Sequence, residues 1–105
     1  MTVVRSMEFL VRITIEWPTD ASEEKRLEVV ERESVRAAEL ADSGHLVRLW
    51  RTADGWGNVG VWSATEATEL QGLLSSLPLY PWMHIDIEPL ANHPSDPAAR
   101  DHHDR

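Results

Sequence analysis

Between residues 8 and 17 the chain alternates without a break. Phe9, Val11, Ile13 and Ile15 share one side and Arg12, Thr14 and Glu16 the other, the period of two that predicts a strand with one buried face. Pro18 ends it. Asp20 or Ser22 then stands ready to cap a helix reaching about Asp42, with Glu23 and Glu24 near its positive end. Gly44 supplies the stop. The segments HLVRLWR (45–51) and WGNVGVW (56–62) predict two strands joined through 52–55, where Asp54-Gly55 is a hairpin signal. Ser63 and Glu66 form a capping box opening a second helix to about Ser76, and WMHIDIEPL (82–90) reads as the last strand. Ahead of that strand, Pro78 and Pro81 bracket Leu79 and Tyr80 in a rigid elbow.

The order strand, helix, strand, strand, helix, strand predicts an α+β, ferredoxin-like βαββαβ domain, with an antiparallel sheet carrying two helices on one face. Residues 7–91 form this domain, residues 1–6 a short N-terminal extension, and residues 92–105, polar and broken by proline, a C-terminal arm or disordered acidic tail. Trp50, Trp56, Trp62 and Trp82 fall in phase with Arg48, Asn58 and His84, so the second face of the sheet is expected to be covered, most economically by another subunit.

Composition narrows the chemistry. At 105 residues one core is the expectation, and no run approaches the roughly 20 apolar residues of a membrane span. The start, MTVVRSMEFLV, has neither the charged region nor the cleavage site of a secretory signal, which points to the cytoplasm. The absence of cysteine removes disulfides, thiolate nucleophiles and sulfur-ligated metals together. A formal net charge of -8 opposes both nucleic acid and anionic membrane surfaces. His102 and His103 lie in the tail, where adventitious metal binding is the expectation; His84 reads as a strand-surface residue.

On a helical wheel of residues 20–42, Leu27, Val29, Val30, Ala37, Ala38, Leu40 and Ala41 fill one broad arc, while Glu24, Lys25, Glu28, Glu31, Arg32 and Glu39 lie opposite. Glu33 breaks the division: it sits inside the apolar arc, between Leu40 and the pair Val30 and Ala37. An ionised carboxylate there costs desolvation energy unless it is paired or used. One reading pairs it with Arg36, Arg12 or a neighbouring strand arginine. The other makes it a general base, because burial raises a carboxyl pKa toward neutrality.

The segments RLWR (48–51), LPLYPWM (77–83) and NHPS (92–95), in this order, resemble the muconolactone Δ-isomerase family and the related chloromuconolactone dehalogenases, over about residues 7–95. That resemblance implies subunits of the dimeric α+β barrel type that pair through their sheets and build a ring of ten. It also implies a pocket between helix and sheet, closed by the C-terminal arm of another subunit. The proline elbow would then set the approach to the last strand, and Pro89 and Pro94 would launch the arm. The family's glutamate base falls on Glu33. The implied chemistry is that of an intramolecular oxidoreductase of aromatic-compound catabolism: one carboxylate takes the proton γ to a lactone carbonyl and returns it at the α carbon, through a dienolate, with no cofactor and no metal. Candidate donors to the dienolate oxygen and the substrate carboxylate are Arg12, Arg48, Arg51 and Asn58, with Trp56 in the pocket wall.

Where the family pattern is near GHYAN, this chain has DGWGN (54–58). Asn58 stands, but Trp56 replaces a tyrosine and Gly55 a histidine or other polar residue, which implies a less polar or differently shaped lactone or enone. Two readings stand beside the isomerase: a small-molecule-binding homo-oligomer without chemistry, favoured by those changes and disfavoured by Glu33, and a cofactor-free monooxygenase on a similar fold.

Overall fold

The computed structural model describes residues 6–98. Its elements follow the expected order: β1 (Met7–Ile15), α1 (Glu23–Asp42), β2 (Leu46–Arg51), β3 (Gly57–Ala64), α2 (Ala67–Ser75) and β4 (Met83–Leu90), the last preceded by a 3-10 turn over Tyr80–Trp82. All strand pairings are antiparallel and the sheet runs β2-β3-β1-β4. No helix among the described residues is long and apolar enough to cross a membrane.

Register decides which side chains meet the helices. Phe9, Val11 and Ile13 oppose Trp62, Gly60 and Asn58 on β3, and Pro89, Ile87 and Ile85 on β4. These positions form the helix-facing side, where Phe9, Val11, Ile13, Trp62, Leu40, Leu70, Leu74 and Leu77 make the core. Trp62 therefore does not belong to the second face of the sheet, as its phase had suggested. It is 2% exposed, because it pairs with the buried Phe9 on the helix-facing side of the sheet, in phase with Gly60 and Asn58. Arg48 and Trp50 do lie on the outer face, with Arg12, His84 and Asp86. Trp82 belongs to neither face of the strand: it sits in the 3-10 turn and stacks on Trp17 at 5.3 Å between ring centroids.

Helix α1 starts from the second of the two expected caps. Ser22, in extended conformation, is its cap and accepts from the Lys25 amide at 3.1 Å, which settles the choice against Asp20. The inward stripe is also narrower than the wheel implied. Val29 and Leu40 are buried and Arg26, Glu33, Arg36 and Ala37 half-buried, whereas Leu27, Val30, Ala38 and Ala41 are exposed. For α2, Ser63 is not a cap but the penultimate residue of β3, exchanging hydrogen bonds with His45. The helix is closed instead by Glu69, which reaches back to accept from the Thr65 amide at 2.7 Å. That bond holds the Glu69 carboxyl below its ordinary range.

Two connections frame the space in front of α1. In the β2–β3 hairpin, Asp54 accepts from the Thr52 hydroxyl and the Trp56 amide, and Gly55 adopts φ +80°, a region that favours glycine. The Trp56 amide is the main reason the Asp54 carboxyl lies below its ordinary range. Gly57 is glycine for another reason: a Cβ there would collide with the backbone of Ile13. On the other side the proline elbow folds into consecutive turns, Tyr80 donating to Leu77 O and Trp82 to Leu79 O, each at 2.9 Å.

Candidate active site

Between α1, the hairpin and the elbow lies a cavity of about 650 Å³, within the roughly 300–1,000 Å³ range of small-molecule sites. Ile15, Val30, Ala37, Leu49, Leu79 and Met83 give it apolar walls. The polar groups are few: Glu33 and Arg26 from α1, Arg51 from β2 and Asn58 from β3 are the principal ones.

Glu33 is half-buried, and its Oε1 accepts from the Leu79 amide at 2.9 Å. The elbow that the prolines impose is what turns this amide toward the helix. No cation neutralises the carboxylate among the described residues. Arg36, one of the expected partners, is taken up by Glu39 at 3.0 Å and the Ser76 hydroxyl at 3.0 Å. Burial consequently pushes the Glu33 carboxyl above its ordinary range, and the Leu79 amide offsets only part of that shift. A half-buried, uncompensated carboxylate on a cavity wall has the character of a proton acceptor.

Of the other expected site residues, the structure brings three to the cavity. Arg51 and Asn58 are cross-strand partners on the helix-facing side of the hairpin. Asn58 Oδ1 is buried without a hydrogen-bond partner. Trp56 stands at the mouth, 74% exposed. Arg12 and Arg48 are corrections. Arg12 alternates with the buried Val11 and Ile13 and so points from the opposite face of the sheet, opposite Val59 and Asp86. Arg48 also faces outward and lies over the ring of Trp50 at 4.6 Å. Period two excludes both from a cavity on the helix side.

Arg26 and Trp17 were not singled out from sequence, yet both line the cavity. A signal existed: Arg26 precedes Glu33 by seven residues, two helical turns, and so shares its azimuth. Among the described residues no cluster of three His, Asp or Glu side chains is arranged to hold a metal.

The chain is similar to known proteins over most of its length. The family model for muconolactone Δ-isomerase matches residues 7–96. The chain is 35% identical to muconolactone Δ-isomerase of Rhodococcus opacus over 88 residues, 84% of this chain and 95% of that one. Against the Pseudomonas aeruginosa protein of the same name it is 32% identical over 95 residues, 90% of this chain and 99% of that one. A crystal structure of muconolactone isomerase superposes with a TM-score of 0.80 at 32% identity, covering 87% of this chain and 95% of that one. A cofactor-independent oxygenase from Streptomyces nogalater gives 0.52 at 17% identity over 88% of this chain and 97% of its own, a likeness of fold alone.

Proposed function

Because the chain belongs to the muconolactone Δ-isomerase family and is an isomerase of that kind, we propose that Glu33 is its general base and that its substrate is a lactone-like small molecule. The carrying observation is the half-buried Glu33 carboxylate, held by one backbone amide and matched to no cation among the described residues. In the reaction Glu33 removes the proton at the γ carbon of an α,β-unsaturated lactone. The electron pair left behind delocalises onto the carbonyl oxygen as a dienolate. The same carboxyl returns the proton at the α carbon, so the double bond moves from α,β to β,γ and Glu33 ends ionised as it began. Arg51 and Asn58 stand together on the opposite wall and are placed to donate to the dienolate oxygen.

Trp56 in the hairpin sets the shape of the mouth, and the φ of Gly55 makes glycine there a backbone requirement as well as a lost polar group. Both favour a lactone or enone shaped differently from muconolactone on the hairpin side. We further infer that the protein works in the cytoplasm, in aromatic-compound breakdown, as dimers assembled into a decamer, with residues 92–105 as the arm toward a neighbour. The outer sheet face supports association: Leu10, Val59 and Val61 are half-covered, and Trp50 and Leu90 exposed, in the single chain.

The test of the base is hydrogen–deuterium exchange at the γ carbon of a substituted butenolide, followed by NMR. Glu33→Gln keeps size and the acceptor for Leu79 but cannot take the proton, so exchange should fall by about 10² to 10⁴. Equal rates in wild type and variant would remove Glu33 from this role.

A further inference from the structure

Helix α1 carries four cations, and three are occupied. Lys25 and Arg32 both lie within 4 Å of Glu28, and Arg36 is bonded to Glu39. Arg26 is the exception. It forms no ion pair among the described residues, it lines the cavity, and its Nε is buried without a hydrogen-bond partner. Its guanidinium lies over Trp17 at 5.6 Å from the ring centroid, and Trp17 is itself packed on Trp82. A guanidinium laid on an indole is held in orientation at little cost in rotamer freedom, while its N–H edges stay open. A buried donor with no acceptor costs free energy in the empty protein, a cost that is recovered when a ligand brings the acceptor.

We propose that Arg26 is a specificity-determining residue: it binds a carboxylate borne on the substrate at a position remote from the reacting carbon. This rests on the cavity being the reaction site, as proposed above. The spacing is informative. Arg26 and Glu33 are seven residues apart on one helix face, about 10 Å along the axis, so one substrate meets both only if its anionic group stands off from the ring on a short tether. The division of labour is then clear. Arg51 and Asn58 face the dienolate oxygen from the hairpin, and Arg26 with Trp17 takes the tail. A flat guanidinium also matches a carboxylate through two parallel N–H donors, which lysine cannot reproduce.

The assay compares a butenolide bearing a carboxymethyl group with its methyl ester, for the wild type, Arg26→Gln and Arg26→Lys. Wild type should prefer the acid over the ester by about 10- to 100-fold in kcat/KM, the range of a hydrogen bond to a charged group. Arg26→Gln should erase that preference, mainly by raising KM for the acid; Arg26→Lys should restore part of it. An acid-to-ester ratio that Arg26→Gln leaves intact overturns the proposal. Should the wild type turn over neither compound, the isomerase reading fails separately, and Arg26 is tested by calorimetric binding of the saturated, unreactive carboxymethyl lactone. A loss of affinity of about tenfold or more in Arg26→Gln upholds it, and unchanged affinity overturns it.

Discussion

A carboxyl whose pKa is raised on folding makes stability depend on pH in a definite direction. Glu33 binds its proton more tightly in the native state than in the unfolded chain. The native state is therefore favoured below the ordinary value of 4.5, and it loses that advantage as pH rises from there through the raised pKa. Glu33→Gln removes the titration while keeping the Leu79 bond, so melting temperatures should show the variant gaining on wild type between pH 4 and pH 7. A constant offset at both pH values would mean that the carboxylate is not strained by burial. With Glu33 as the proposed base, activity moves the opposite way, since the carboxyl must be ionised to accept a proton: kcat/KM should rise through an inflection above 4.5. Glu33 was legible in the sequence because one acid on an apolar arc is conspicuous. Asn58 and Arg51 followed from resemblance. Arg12 and Arg48 did not survive, because strand phase, not residue type, decides which arginines see a cavity. Arg26 was overlooked because a cation near the start of a charged helix looks like solvent-facing charge until the position of the cavity is known.

At the scale of elements, α1, the hairpin and the elbow were all legible, and the misses lie at their ends. The α2 cap shows why. A Ser-x-x-Glu spacing was present at 63–66, but β3 keeps Ser63 in the ladder through its bonds to His45, and Glu69 does the capping one turn further on. Long-range pairing overrode a local motif. Strand pairing acted similarly: opposite Phe9, Trp62 lies in the core and not at the expected surface. The tightest joint is Gly57, where β3 passes against the backbone of β1. Gly57→Ala should lower stability by about 3 kcal/mol, at the upper end of ordinary single substitutions, and denaturant unfolding would measure it. Because Gly57 also lines the cavity, binding should fall with stability. A variant as stable as wild type would show that the two strands can part without cost.

At the scale of the molecule, the chain is incompletely covered. Its radius of gyration, 16.3 Å, exceeds the roughly 13 Å of a compact chain this long, and residues 91–98 are exposed throughout. The helix-free sheet face carries Trp50 stacked with Arg48. Light scattering at micromolar concentration should give a multiple of 11.9 kDa. Trp50→Glu should lower that mass by placing a charge on the association face, and deletion of 92–105 should reduce assembly or turnover. A monomer at that concentration would refute the assembly, and an active, fully assembled truncation would refute the arm. The expected tail beyond Ala98, with His102 and His103, and the extension before Ser6 lie outside the described residues.

The donor that holds Glu33 belongs to the main chain. No side chain encodes it, so nearly any residue at position 79 would present the same amide, and proline alone would delete it. On the proposed role of Glu33, proton transfer thus needs few specified residues: the acid itself and an elbow whose path two prolines impose. Wall residues such as Trp56 and Arg26 can then change without touching the amide that holds Glu33. The chain shares about a third of its sequence with the muconolactone Δ-isomerases of Rhodococcus opacus and Pseudomonas aeruginosa, and a contact that needs so few specified residues would outlast much further divergence.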